Sequence, residues 1–125
     1  MRLKNVMLTV EDLQRSYQFY HDLFGLQKIR DFGGNIMLTE GLVLQEKREW
    51  EKLIGRQTVR GDAEMELYFE EEDMDGFLEK LGKYSGEIRY VTPVMEYPEG
   101  RRVVRFYDVD GYLIEVGEKW AGEAR

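Results

Sequence analysis

The first strand-like segment of the chain shows a period of two. Its alternating sets are Val6, Leu8 and Val10 on one face and Asn5, Met7 and Thr9 on the other. This period predicts a strand within residues 3–10 whose two faces meet different surroundings. We expect the first set to face helices and the second set to face a cavity.

A helical pattern follows this strand. Its apolar stripe consists of Leu13, Tyr17, Tyr20 and Phe24. Asp12 precedes the stripe and is a suitable N-cap, because its side chain can accept a hydrogen bond from a backbone N–H of the first turn. Gly25 follows the stripe and is a suitable C-terminal glycine. The pattern therefore predicts a helix between Asp12 and Gly25.

Short strands and a charged segment complete the first half. A turn at 32–35 and apolar residues around it predict short strands near 27–31, 36–39 and 42–46. The tract 47–60 is charged and lacks strand alternation, although it carries a few apolar residues at near-helical spacing. We interpret this tract as a linker between halves, with room for one short helix.

The same order of elements then returns. The triplet Glu11-Asp12-Leu13 reappears as Glu72-Asp73-Met74 at an offset of 61 (73 − 12), and Gly41-Leu42-Val43-Leu44-Gln45 is echoed by Gly111-Tyr112-Leu113-Ile114-Glu115 at an offset of 70 (111 − 41). The second half further predicts strands at 65–71, 102–107 and 112–116, a helix after Asp73, and turns at 97–100 and 108–111. Two matched β-α-β-β-β halves predict a site between them.

Length and composition restrict the class of protein. The chain has 125 residues, of which 42% are hydrophobic and 13% aromatic, enough for the core of one domain. It has no cysteine, so disulfides and thiolate sites are excluded. The net charge of −7 with scattered basic residues argues against nucleic-acid binding, and no apolar run is long enough for a membrane helix. The N-terminus has no signal-peptide pattern, and we expect a cytoplasmic protein.

Two segments resemble the signatures of a known superfamily. They are Val10-Glu11-Asp12-Leu13 with Ser16, Phe19-Tyr20 and Leu23-Phe24-Gly25, and the run Phe106-Tyr107-Asp108-Val109-Asp110-Gly111-Tyr112-Leu113-Ile114-Glu115. Together with the repeat, they resemble the vicinal oxygen chelate superfamily across essentially the whole chain. That superfamily includes glyoxalase I, extradiol dioxygenases, fosfomycin-modifying thiol transferases and bleomycin-binding resistance proteins. It hosts several chemistries, so the resemblance is more specific for fold than for function.

The resemblance implies an α+β fold and a set of ligand positions. The fold is a single glyoxalase-like domain over 1–125, built from two βαβββ modules at about 1–60 and 61–120. Their curved mixed sheets surround a central cavity, commonly completed by a homodimer partner. In metal-dependent members four strand positions bind the metal, and on this chain they fall on Asn5, Gln45, Glu66 and Glu115. The register at Gln45 admits a slip by one residue to either side.

These four positions depart from the metal-binding pattern. Catalytic members usually place an imidazole among the ligands, whereas the one histidine here, His21, belongs to the helical stripe. We interpret His21 as a surface or half-buried helix residue. An all-oxygen quartet suits Mg²⁺, Mn²⁺ or Ca²⁺ and is a poor site for Zn²⁺ or Fe²⁺. We therefore expect no cofactor, with Mg²⁺ or Mn²⁺ as the alternative.

Charge pairing gives a second interpretation of the acidic positions. Glu64, Glu66 and Tyr68 share one face of the strand that opens the second half, and a carboxylate inside a sheet cavity needs a cation or hydrogen-bond donors. Arg102 and Arg105 on a neighbouring strand are candidates. If they pair with Glu66 and Glu115, the residues form a structural ion-pair network around a binding pocket. If they do not, the pocket is acidic and suits a ligand cation.

Three functions follow from these interpretations. The first is a small-molecule binder of the glyoxalase or bleomycin-resistance type that encloses its ligand without catalysis. The second is a divalent-metal lyase, isomerase or dioxygenase of the same superfamily, related to lactoylglutathione lyase, in which Glu66 or Glu115 is both metal ligand and general base. The third is an accessory domain whose own side chains fill the cavity. The candidate ligand-binding residues are Asn5, Met7, Thr9, Gln45, Glu64, Glu66, Tyr68, Arg102, Arg105 and Glu115.

Overall fold

A computed structural model describes residues 1–59 and 65–119 of the chain. The chain divides into two compact units, Met1–Gly61 and Asp62–Arg125. Eleven α-helices and β-strands are described, and a 3-10 turn covers Thr39–Gly41. The eleven are β1 (Val6–Val10), α1 (Leu13–Phe24), β2 (Lys28–Asp31), β3 (Asn35–Leu38), β4 (Leu42–Glu46), α2 (Lys47–Ile54), β5 (Glu66–Glu71), α3 (Met74–Gly82), β6 (Arg89–Glu96), β7 (Arg102–Tyr107) and β8 (Leu113–Glu118).

Each unit contains one four-stranded mixed sheet, and the two sheets have the same topology. The strand order is β1-β4-β3-β2 in the first unit and β5-β8-β7-β6 in the second. In each sheet the first strand pairs in parallel with the last, and the remaining neighbours pair antiparallel. Each unit is therefore a βαβββ module. The predicted α+β fold with two such modules is confirmed, and among the described strands neither sheet closes on itself.

The ends of α1 follow the predicted capping residues. The Asp12 side chain accepts a hydrogen bond from the Arg15 N–H at 3.0 Å, and Gly25 adopts a left-handed conformation with φ of 69°. A left-handed residue at this position ends a helix at the least cost when it is glycine. The linker tract contains α2, so the single short helix predicted there is confirmed.

The helix-facing side of each sheet forms a hydrophobic core. In the first unit the buried side chains include Leu8, Val10, Phe19, Tyr20, Leu23 and Leu44. In the second unit Phe77 of α3 stacks on Phe106 of β7 with ring centroids 6.3 Å apart. Because successive strand residues point to opposite faces, the neighbours of Phe106 lie on the other face of the sheet. That face carries the site residues.

The repeated β-α-β-β-β order predicted a strand between α3 and β7, and the structure places it as the edge strand β6, whose bounds were not predicted. Seven of its eight residues are exposed, so no alternation of apolar and polar positions marks its two faces. It contains Pro93, and its pairing with β7 shifts register twice. Proline lacks a backbone N–H and is tolerated on edge strands for that reason. Within the described ranges, no helix is long and apolar enough to cross a membrane.

Candidate functional site

An ion pair lies on the sheet face opposite the core of the second unit. Arg105 of β7 and Glu115 of β8 are direct cross-strand partners, and Arg105 Nε donates to Glu115 Oε1 at 2.8 Å. The two side chains are 22% and 14% exposed. An ion pair shielded to this degree is less screened than one on the open surface. Arg105 therefore provides the charge compensation that Glu115 needs.

Two further residues fix the guanidinium of Arg105. Its Nη2 donates to the Tyr97 hydroxyl oxygen at 3.0 Å, and its Nη1 lies 3.6 Å from Met95 Sδ. The hydrogen bond to Tyr97 and then the bond to Glu115 raise the pKa of Arg105 above its ordinary value. Arg105 thus stays cationic and is held in one orientation.

Glu66 joins this ion pair through its carboxyl group. It lies on β5, next to β8, and its carboxyl group interacts electrostatically with that of Glu115. Partial desolvation, followed by the negative charge of Glu115, raises the pKa of Glu66, while Arg105 acts in the opposite direction. Glu66 is therefore a weaker acid than an isolated glutamic acid side chain.

A second tyrosine–arginine contact lies beside the ion pair. Arg101 Nη1 donates to the Tyr68 hydroxyl oxygen at 3.3 Å, and the Arg101 guanidinium lies 5.3 Å from the centre of the Tyr97 ring. A Cβ atom built on Gly117 would lie 2.7 Å from the Tyr68 oxygen and 2.8 Å from Arg101 Nη1. The absence of a side chain at Gly117 is therefore what leaves room for this contact.

We call this set of connected residues the Arg105 cluster. Its members are Glu66, Tyr68, Met95, Tyr97, Arg101, Arg105 and Glu115. All of them belong to the second unit. The cluster contains two arginines, two tyrosine hydroxyls and a carboxyl pair, so it is able both to donate and to accept hydrogen bonds.

Arg102 lies on the other side of β7. It binds Glu118 Oε2 through Nη2 at 2.9 Å and Asp75 Oδ1 through Nη1 at 2.7 Å. Asp75 belongs to the first turn of α3, so Arg102 connects the sheet to this helix. Of the two arginines considered from sequence, Arg105 pairs with Glu115. Arg102 pairs instead with Asp75 and Glu118, on the sheet face that α3 covers.

The predicted site residues of the first unit lie on β1, on β4 and just before β1. Thr9 is the cross-strand partner of Gln45, and Met7 is the partner of Val43. The side-chain amide of Gln45 is hydrogen-bonded within its own unit. Its Oε1 accepts from Asn35 Nδ2 at 2.9 Å, and its Nε2 donates to the backbone oxygen of Glu46 at 3.1 Å. Asn5 is exposed and precedes β1.

Two sequence predictions remain partly open. Glu64 lies outside the described residues. Glu66 and Glu115 are brought together within the second unit, whereas the convergence of Asn5 and Gln45 with them stays a prediction.

His21 is half-buried in α1 with Nδ1 3.0 Å from the backbone oxygen of Leu26, which confirms its interpretation as a helix residue.

The donor set does not fit a divalent metal ion. Glu115 already binds a guanidinium, and the amide oxygen of Gln45 already accepts a hydrogen bond. A cation placed beside Glu115 would meet Arg105 at close range and be repelled. Over residues 1–59 and 65–119, no three His, Cys, Asp or Glu side chains are grouped so as to hold a metal ion. The local chemistry is that of an arginine-neutralised carboxylate.

Sequence reasoning missed Arg101 and treated Tyr97 only as part of the turn at 97–100. The signal that was available is the turn itself. The Tyr97 N–H donates to the backbone oxygen of Arg101 at 2.9 Å, and the Gly100 N–H donates to the Tyr97 oxygen at 2.8 Å. Residues that flank a closed hairpin turn lie side by side. The predicted turn at 97–100 therefore implied that Tyr97 and Arg101 are neighbours.

Comparisons with known proteins agree with this architecture. The family model of the glyoxalase-like domain matches residues 3–121. A crystal structure of a protein of unknown function from Agrobacterium tumefaciens str. C58 is 36% identical with a TM-score of 0.82, covering 96% of this chain and 95% of that chain. No curated protein matches the chain.

Two more distant structures share the fold. Lactoylglutathione lyase from Agrobacterium tumefaciens is 23% identical with a TM-score of 0.72, and the alignment covers 98% of each chain. The fosfomycin resistance protein FosX from Mesorhizobium loti is 16% identical with a TM-score of 0.71, covering 96% of this chain and 93% of that chain. The family match, over nearly the whole chain, confirms the resemblance drawn from the two signature segments. The chain belongs to the glyoxalase-like domain family of the vicinal oxygen chelate superfamily.

Proposed function

We propose that this protein is a small-molecule-binding member of the glyoxalase-like family that encloses its ligand without catalysing a reaction and without a metal cofactor. The observation that carries the proposal is the ion pair between Arg105 and Glu115. The resemblance assigns a metal-binding carboxylate to the position of Glu115. In this chain a guanidinium 2.8 Å away takes the place of the metal charge.

The carboxyl pair supports the absence of catalysis. A general base must be unprotonated and within reach of the proton that it removes. Desolvation and the neighbouring charge of Glu115 raise the pKa of Glu66, and Glu115 is engaged by Arg105. Neither group is arranged as a free carboxylate beside a substrate. The same groups remain suited to binding, because they present polar atoms on a face of the sheet that the core does not use.

The relatives support the fold behind this proposal but differ in what they do. The proteins at 23% and 16% identity are a lyase and an antibiotic resistance protein, respectively. One scaffold of this kind hosts unrelated activities through the residues of its site. The function of this chain therefore depends on the Arg105 cluster and not on the family name.

Native mass spectrometry with elemental analysis of the purified protein tests the proposal. We expect no stoichiometric divalent metal, and we expect a non-covalent guest that is released on denaturation or acquired on exposure to a small-molecule library. Because a bound ligand stabilises the native state by mass action, the guest should also raise the melting temperature. Glu87→Gln is a matched control, since Glu87 is an exposed carboxylate of the same unit outside the cluster.

Two results would contradict the proposal. One is stoichiometric Mn²⁺ or Mg²⁺ that is lost in Glu115→Gln and retained in Glu87→Gln, because it would assign Glu115 to a metal site. The other is the complete absence of any guest that changes the mass or the melting temperature of the protein, because it would favour an accessory domain filled by its own side chains.

A further inference from the structure

Met95 places a thioether sulfur against the guanidinium of Arg105. Met95 lies on β6 and pairs with Val103 of β7, and Val103 and Arg105 are two residues apart on that strand. Residues two apart on a strand point to the same face of the sheet, so the pairing directs Met95 toward Arg105. Arg105 Nη1 donates to Met95 Sδ at 3.6 Å. The sulfur is therefore the third acceptor of this guanidinium.

The three acceptors of Arg105 differ in strength. Nε donates to a carboxylate oxygen of Glu115 at 2.8 Å, and Nη2 donates to the hydroxyl oxygen of Tyr97 at 3.0 Å. The thioether sulfur of Met95 is a much weaker acceptor than either oxygen. Nη1 is therefore the donor that gains most when an oxygen atom replaces the sulfur as its acceptor.

The Met95 side chain is accessible to small molecules in solution. The residue is 39% exposed and belongs to an edge strand. A partner strand that pairs along this edge would use backbone groups, and the strand side chains would remain directed to the two faces of the sheet. Met74, at the start of α3, is 1% exposed. A dissolved oxidant therefore reaches the sulfur of Met95 far more readily than that of Met74.

Hydrogen peroxide converts a thioether to a sulfoxide by direct oxygen transfer. The sulfur attacks one peroxide oxygen, and an S–O bond forms as the O–O bond breaks. The leaving hydroxide takes the proton of the transferred oxygen and departs as water. The sulfur is oxidised by two electrons, which the peroxide receives. The product is polar, and methionine sulfoxide reductases restore the thioether.

The surroundings of Met95 suit the sulfoxide as well as the thioether. A sulfoxide oxygen is a strong acceptor, and a hydrogen bond from a charged donor is stronger than one between neutral groups. Rotation about the flexible side-chain bonds of Met95 brings this oxygen to Nη1 of Arg105. At the buried Met74 the same polar group would lie in the hydrophobic core and destabilise the fold.

We infer that Met95 is a peroxide-reactive modification site whose sulfoxide is bound by Arg105. The inference goes beyond the proposed ligand binding and does not depend on it, because it concerns a covalent change of the chain itself. Oxidation replaces the weakest hydrogen bond of Arg105 with a charge-assisted bond to oxygen. It therefore strengthens the contacts within the Arg105 cluster.

Limited oxidation of the full chain with hydrogen peroxide tests the site. Peptide mapping by mass spectrometry gives the oxidised fraction of each methionine over time. We expect Met95 to be oxidised on the timescale of Met65, which is 64% exposed, and well before Met74. Heteronuclear NMR follows the Nε–H resonance of Arg105. This resonance should shift as the Met95 sulfoxide forms and return after treatment with both methionine sulfoxide reductases.

Two leucine variants separate the contact with Arg105 from exposure alone. Met65→Leu and Met95→Leu each remove one exposed sulfur and nearly conserve volume. Met65 is the matched control, because it is an exposed methionine of the same unit outside the Arg105 cluster. Oxidised Met65→Leu should retain the shift of the Arg105 resonance and a rise of about 2 to 4 °C in melting temperature, as expected for one additional hydrogen bond in a chain of this size. Met95→Leu should lose both responses.

The inference is overturned if Met95 stays reduced while Met65 is converted, if the Arg105 resonance shifts equally in oxidised Met95→Leu, or if oxidation of Met95 lowers the melting temperature. A Met95 sulfoxide that leaves the Arg105 resonance unchanged also contradicts it, because the oxygen would then be bound by water alone. These outcomes are separable from a failure of the proposed function. A protein that lacks this modification site and acquires a guest in native mass spectrometry remains a small-molecule binder.

Discussion

Arg105 and Glu115 are direct partners across the antiparallel strands β7 and β8, and their side chains form an ion pair at 2.8 Å. Of the pairs that the sequence offered, the structure contains Arg105 with Glu115, whereas Arg102 pairs with Asp75 and Glu118. A carboxylate in this position either recruits a cation from outside or receives one from the chain. Here the chain provides it, and the cation is itself fixed by the hydroxyl of Tyr97.

We predict that Glu115→Gln destabilises the protein even when no metal is present. The substitution leaves the largely shielded Arg105 without its counter-charge, and the expected loss is about 1 to 2 kcal/mol of unfolding free energy. Urea unfolding in the presence of a chelator measures this loss. Glu87→Gln makes the same charge change at an exposed position and should have little effect. Unchanged stability of Glu115→Gln in the chelator, with a wild-type melting temperature that rises in Mn²⁺, would favour a metal site instead.

A second prediction concerns the pH dependence of stability. The pKa of Glu66 is raised above its ordinary value of 4.5 in the folded protein. The folded state therefore binds this proton more tightly than the unfolded state, and the corresponding stabilisation is complete below the ordinary pKa and lost as the pH rises through the raised pKa. Other carboxylates, such as Glu118, have lowered pKa values and act in the opposite direction.

Comparison of the wild type with Glu66→Gln isolates this contribution. Glutamine retains a permanent N–H donor toward Glu115 and does not ionise. The stability of the variant relative to the wild type should therefore increase as the pH is raised from about 4 to about 8, when followed by urea unfolding at each pH. A constant difference across this range would show that Glu66 has no raised pKa in the folded protein.

The sequence predicted those elements of the fold whose ends or faces are marked by neighbouring residues. Asp12 and Gly25 end α1 as predicted, because capping chemistry acts on neighbouring residues. Strand β4 has its predicted bounds. Strand β6 was implied only by the repeated order of elements, and its bounds were not predicted, because its exposed residues show no alternation and Pro93 interrupts the segment. A strand that is exposed on both faces leaves no hydrophobic pattern for sequence reasoning to find.

The site was predicted only in part, for geometric reasons. Strand alternation places residues at an odd separation on opposite faces, so Arg102 and Arg105 were never both able to face Glu115. The structure assigns Arg105 to that carboxylate and Arg102 to Glu118 and Asp75. Arg101 follows the hairpin turn and belongs to no recognised sequence motif. The pairing across the turn indicates that Arg101 lies beside Tyr97, but its contact with Tyr68 is seen only in the structure.

A third prediction is that the protein is a homodimer. Strand β6 is a sheet edge, and Tyr90, Val91, Val94 and Met95 on it are each at least 39% exposed. Exposed apolar edge strands are commonly covered by a partner. Sedimentation velocity at micromolar concentration should show a dimer that persists in high salt, because salt screens the mutual repulsion of two chains of charge −7. A monomer under all of these conditions would be incompatible with this prediction.

The last prediction separates ligand binding from stability at Gly117. A Cβ atom at this position would approach the Tyr68 oxygen to 2.7 Å and Arg101 Nη1 to 2.8 Å, closer than side-chain atoms tolerate. Both neighbours are ends of flexible side chains, so Gly117→Ala should displace them and break their hydrogen bond at a cost within about 1 kcal/mol of unfolding free energy. The displaced side chains change the polar surface of the Arg105 cluster, and the guest detected by native mass spectrometry should bind more weakly. Gly82→Ala is the control, because nothing lies within 4 Å of its Cβ position. Weakened binding in both variants would mean that the effect is not local to the Arg105 cluster, and unaffected binding in Gly117→Ala would mean that the contact between Arg101 and Tyr68 does not position the ligand.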